Sequence, residues 1–273
     1  MDYLKLILAF ILLLLFILTF FYFFKENEID GIMFLKKEQT RDHLLADKDQ
    51  YVNNMTKIDL FARKVNTKEE YFYIIEKCCR DFTKKEKRKL LKCCKKADKF
   101  LSEYQYKGID CKKISKIKWK FAGTQNYKQY EYENGFPHTR GDIIILSNKT
   151  INDIISSNEN DENLTTTLIH EKVHIYQKQN KEEMRTYLEK SGYIECEGKI
   201  ENKRSNPDTD QKIYKDPVSK ECMVFVYTSS KPKHINDVVQ KDFSQEHPYE
   251  KMAYEIANGF SMITMRKFKD III

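Results

Sequence analysis

The chain has 273 residues, enough for one good-sized domain or two small ones, and its 33% charged residues are accompanied by 13% aromatics. That aromatic content excludes general disorder, because Tyr and Phe supply the apolar area a packed core needs. The net charge of +7 does not indicate nucleic acid. The densest basic cluster, Lys84 to Lys96, reads as the solvated face of an amphipathic helix with no base-reading motif beside it, so no nucleic-acid partner is expected.

Leu6 to Phe24 is an unbroken apolar run. At helical rise it spans about 30 Å, the thickness of a bilayer's hydrocarbon core. It ends in aromatics and Lys25, without the small residues of a signal-peptidase site. Residues 1–25 are therefore expected to be an uncleaved single-pass membrane anchor, with the membrane as a partner through residues 6–24. Lys25, Lys36, Lys37 and Arg41 beyond the span favour a cytosolic domain by charge count. The sequons at Asn54, Asn148 and Asn163, and the cysteines, lean the expected location toward the lumenal or extracellular side.

Residues 26–56 are charged and unpatterned, and read as a stalk. Region 57–110 reads as a helical hairpin. Thr67-Lys68-Glu69-Glu70 and Thr83-Lys84-Lys85-Glu86 have capping-box form and open helices over roughly 68–81 and 84–105. One carries a stripe of Tyr71, Ile74, Ile75 and Cys78, the other of Leu90, Cys94, Ala97 and Leu101, and the stripes would face each other. Cys78-Cys79 and Cys93-Cys94 fit either small buried hydrophobes or disulfides across that hairpin, and adjacent cysteines lack zinc-knuckle spacing. The total of seven cysteines leaves at least one unpaired within the chain.

After Cys111 the periodicity changes. Ile117 to Phe121 alternates as a half-buried strand, Tyr127 to Tyr132 is a second candidate, and Gly135 to Gly141 has turn chemistry. Asp142 to Ser147 reads as a buried strand, followed by a short helix near 151–156 and a polar loop.

His170-Glu171-Lys172-Val173-His174 then stands in a helical run. Residues four apart lie one turn above each other, so the two imidazoles can meet one metal ion. Glu171 is placed to take a proton from a water at that ion. Lys172 projects about a third of a turn away, where its stem can snorkel to water. The best source of a third ligand is Glu246-His247-Pro248-Tyr249-Glu250, where Pro at a first helical position and acidic residues mark a helix start. Glu246, one turn before Glu250, is the alternative.

The His-Glu-x-x-His helix and the later Pro-x-Glu-x-x-Ala-Tyr stretch resemble the gluzincin-like zincin metallopeptidases. The resemblance implies an α+β zincin-like domain over 111–273, with a small mixed sheet, an edge strand, an active-site helix and a ligand helix. It implies Zn²⁺ on His170, His174 and Glu250, with Glu171 as general base. It also implies that Asp142–Ser147 is the edge strand that pairs with substrate, or its neighbour. Arg204, Tyr214 and Tyr227 are candidates to stabilise an oxyanion, and His138 could touch substrate or support the site. The expected protein is a membrane-anchored zinc hydrolase, most simply a peptidase acting on a peptide or protein. The rival reading is a membrane-anchored interaction protein keeping a zincin-like fold without turnover.

Overall fold

The computed structural model describes residues 28–155, 160–198, 200–239 and 246–271, together with Tyr3, Ile7 and 10–13. Most of the apolar run at 6–24 lies outside these residues. Among the described residues no helix is long and apolar enough to cross a membrane. The single-pass anchor, and the membrane location and partner that followed from it, are thus not supported by the structure.

A six-stranded mixed sheet organises the chain. Strands β1 (Glu28–Ile29), β2 (Ile32–Phe34), β4 (Lys120–Thr124), β6 (Ile143–Ser147) and β5 (His138–Arg140) lie in that order, and β3 (Cys79–Arg80) pairs with the far end of β4. β2, β4 and β6 run parallel, with Phe34 opposite Phe121 and Phe121 opposite Ile144. β5 is antiparallel to β6 and forms the edge, with Thr139 opposite Ile144. This sheet is larger than the small one expected. Asp142–Ser147 becomes its inner strand β6, and the edge falls to the turn-like stretch before it.

Alternation along the strands sends side chains to both faces. Phe34, Phe121, Ile144 and Leu146 enter one core, and Ala122, Ile143 and Ile145 enter another. Both faces are covered by helices, as parallel strands require. On the second face pack α1 (Lys37–Ala46), α2 (Lys57–Ala62) and α3 (Lys68–Cys78). On the first pack α4 (Lys84–Glu103), α5 (Cys111–Ser115), α7 (Asn160–Gln179) and α9 (Pro248–Ile271), with α6 (Asn148–Ile155) leading from β6 into α7 and α8 (Lys181–Lys190) after it.

Two expectations fail here for one reason. Thr67 and Thr83 do cap α3 and α4, but β3 lies between the helices and they bury their stripes on opposite faces of the sheet, so no hairpin forms. The four cysteines are divided the same way, Cys78 and Cys79 in one core and Cys93 and Cys94 in the other. All four are buried free thiols, and the disulfide joins Cys196 to Cys222 instead.

Residues 26–56 are not a stalk in their described part. β2 hydrogen-bonds to β4, and Asp47 and Asp49 after α1 clasp the buried guanidinium of Arg140 at 2.7 and 2.6 Å. The chain between α8 and α9 forms a small antiparallel sheet of β7 (Ile194–Glu195), β8 (Tyr214–Lys215) and β9 (Cys222–Met223), tied by that disulfide.

Candidate metal centre

Helix α7 carries Leu164, Leu168, Ile169, Val173, Ile175 and Tyr176 into the core, and its polar Glu171, Lys172, His174 and Gln177 are buried as well. Such a helix lies inside a protein rather than on its surface. Each fully buried side chain of this size contributes about 1.5–3 kcal/mol, so its position is held by packing. α9 lies against it with Met252, Ala253, Ile256 and Ala257 buried.

Where the two helices meet, three donor atoms converge. His170 Nε2 and His174 Nε2 are 2.9 Å apart, and Glu250 Oε2 stands 3.3 and 3.6 Å from them. Ligands about 2.0–2.1 Å from a tetrahedral ion lie about 3.3 Å from each other, so the triangle has the right size for one ion. These residues could hold a metal ion.

The hydrogen bonding around the triangle fits that role. Gln177 donates from its amide nitrogen to the Tyr249 carbonyl at 3.0 Å, which turns its oxygen toward His174 Nδ1 at 2.8 Å. His174 therefore donates from Nδ1, so that a neutral ring would present a lone pair on Nε2 toward the carboxylate. A lone pair facing a carboxylate oxygen needs a proton or a cation between them. On the other helix, Asn206 donates to Glu250 Oε1 at 2.8 Å, leaving Oε2 for the histidines.

The field in the site is negative. Burial would lower the His174 pKa, but Glu250 and then Asp208 overcome it and push it up to about 9. Burial would raise the Glu250 carboxyl, and the two imidazoles hold it well below the usual range instead. Burial, reinforced by Asp208, raises Glu171 well above that range. Glu171 is 3% exposed, and its Oε2 has no hydrogen-bond partner. A cleft of about 290 Å³ opens beside it, lined by His170, Glu171, His138, Asp208, Glu250 and Tyr254 among others.

The loop Arg204–Asp208 forms one wall. Arg204 makes a two-pronged ion pair with Glu246 at 2.9 and 2.5 Å, and Asn206 also donates to Glu246 at 2.8 Å. Glu246 is thus engaged by this loop and is no ligand. Ser205 donates through its N–H and its hydroxyl to Asp59 of α2, both at 2.9 Å. Asp208 accepts from the Thr139 N–H at 2.8 Å and pairs with Lys178 at 3.2 Å.

The remaining candidates are dispersed. Arg204 lines the cleft but is committed to Glu246, Tyr214 donates to Asp210, and Tyr227 donates to Asp59. His138 lines the cleft from β5 with Nδ1 bonded to the Phe136 carbonyl. Lys172 does not reach water. It is fully buried over the Trp119 ring and donates to Asp98 at 2.5 Å and to the Ser115 carbonyl at 3.0 Å. Its environment closes over it because α4 packs on that side of α7 and supplies a carboxylate there. Sequence reasoning missed Asn206, Asp208 and Gln177. Only Gln177 carried a signal, three residues after His174 and hence on its face of the helix.

Comparison with known proteins finds no matching family model, no similar curated protein and no similar solved structure.

Proposed function

We propose that the chain is a zinc-dependent hydrolase acting on peptide bonds, with His170, His174 and Glu250 holding the ion and Glu171 as general base. The observation that carries this reading is the unpaired Glu171 carboxylate, buried on the same helix as the two histidines and facing the same cleft. Two imidazoles and one carboxylate at tetrahedral spacing are a donor set suited to zinc that leaves a position open. A zinc ion held there supplies Lewis acidity, polarising a substrate carbonyl and acidifying a water.

The chain's own groups do the rest. Glu250 is held by Asn206 and His174 by Gln177, so neither ligand turns away. Glu171 takes the proton of the attacking water and delivers it to the leaving nitrogen. Its burial keeps it a strong base once a cation offsets the surrounding carboxylates.

Metal analysis of the wild type beside His174→Ala and Glu250→Ala tests the site. One zinc per chain, lost in both variants, supports it, and a well-folded wild type without zinc sinks it. Glu171→Gln separates an enzyme from a scaffold: it should keep its zinc and lose peptide cleavage by about 100- to 10,000-fold.

A further inference from the structure

An exposed sheet edge presents unpaired N–H and C=O groups, and an extended polypeptide binds there as an added strand. β5 is the edge strand beside the cleft, and the pairing groups of its central residue are already taken. The Thr139 N–H and hydroxyl both donate to Asp208 Oδ1, at 2.8 and 2.5 Å. The Thr139 carbonyl accepts from Lys178 at 2.9 Å. The next carbonyl, of Arg140, accepts from His43 Nε2 at 3.0 Å. Asp208 thus stands where the carbonyl of an incoming strand would lie, and Lys178 where its N–H would lie.

This wall is not a loose flap. Asp208 is buried, and removing it from Thr139 and Lys178 would leave a carboxylate in the interior without its partners. The two residues before the Asn206-Pro207-Asp208 turn are fixed through Arg204 on Glu246 and Ser205 on Asp59. Asn206 itself holds Glu250 Oε1, so swinging the loop aside takes a hydrogen bond from a metal-ligand carboxylate. The cleft that remains, about 290 Å³, is at the lower end of the range for small-molecule pockets, about 300–1,000 Å³.

We infer that the cleft accepts short peptides and excludes the interior of extended polypeptides, because Asp208 and Lys178 occupy the edge an extended chain would need. This rests on the hydrolase reading and adds substrate length to it. The experiment uses the zinc-loaded full chain, with zinc per chain measured, on a mixture of short synthetic peptides and on reduced, carboxymethylated casein. The expected result is cleavage of short peptides with kcat/KM per bond about 100-fold above that on casein, whose continuing chain Asp208 and Lys178 would hold out of reacting position. Internal cleavage of casein as fast as of short peptides overturns the inference and leaves the hydrolase reading standing. Absence of zinc, or no cleavage of either substrate, overturns the hydrolase reading and the inference with it. Hydrogen exchange gives a second readout free of turnover. The Thr139 amide should be protected in the zinc-loaded protein, and rapid exchange there overturns the inference whatever the kinetics show.

Discussion

Helix α7 and the loop Arg204–Asp208 both reach the cleft, but different forces hold them there. α7 is placed by Leu168, Ile169 and Val173, all inaccessible to solvent, and the meeting of its two histidines follows from helical geometry. The loop has no regular structure, and its polar side chains are held by partners from α2, β5, α7 and the chain before α9. Apolar packing is spread over many contacts and tolerates the loss of one. A buried ion pair is concentrated, and removing one partner leaves an uncompensated charge.

The sharpest way to break this contrast is Arg204→Ala. It leaves Glu246 buried beside Asn206 with its cation gone, and should cost about 3–5 kcal/mol in urea unfolding. The loop should loosen with it, weakening zinc retention. A loss below 1 kcal/mol would mean that the loop is held by something other than its charges.

The next effect is set by pH. Glu133, another buried carboxylate on the cleft wall, is clasped by Arg63 at 2.9 and 2.6 Å and accepts from Tyr71. Burial alone would raise its pKa, but Arg63 overcomes that and holds it at about 2 against an ordinary 4.5. A depressed carboxyl contributes stability that is complete above the unfolded value and is lost as pH falls through the folded one. About 3 kcal/mol should therefore disappear between pH 4.5 and pH 2. The stability gap between wild type and Glu133→Gln, measured by urea unfolding across that window, should narrow as pH falls. A gap constant with pH would show that the ion pair contributes nothing by its charge.

A smaller effect compares the two supports directly. Gln177, on the helix, orients His174, and Asn206, on the loop, orients Glu250. Gln177→Ala and Asn206→Ala should each weaken zinc binding by about 10- to 100-fold, read by competition with a chelator. If both supports matter equally, helix and loop contribute alike to the metal site despite their different anchoring. Loss in Gln177→Ala alone would place the orienting role on the helix.

These contrasts also show what could be read without a structure. The meeting of His170 and His174 was legible from helical spacing, and Glu250 from the resemblance of its proline-led helix to the gluzincin ligand helix. Strand β2 and its pairing with β4 were not, since β2 has three residues and lies far from β4 in sequence. Capping boxes located the starts of α3 and α4 but say nothing about which face of a sheet a helix will cover. Nor could spacing reveal that Asp47 and Asp49 would meet Arg140, or that Asp59 would hold Ser205, because ion pairs and hydrogen bonds between distant residues leave no periodic trace. The loop's part in the site was hidden for the same reason.

Lys172 gives the smallest expected effect. Its ammonium is buried, which lowers its pKa, and it sits between Asp98 and the Trp119 ring. Replacing it with Met keeps the stem volume and removes the buried charge. The orphaned partner, Asp98, is not itself sealed: its side chain is 36% exposed, and it still accepts from Trp119 Nε1 at 2.9 Å. Water can therefore solvate what Lys172 leaves behind, unlike Glu246 after Arg204→Ala. Lys172→Met should change stability by no more than about 1 kcal/mol in either direction, because lost pairing and relieved desolvation nearly cancel. Zinc content should be unchanged, since the side chain leaves α7 on the side away from the cleft. A loss of several kcal/mol in urea unfolding would show that burial of the surviving partner is not what separates fragile ion pairs from dispensable ones in this fold.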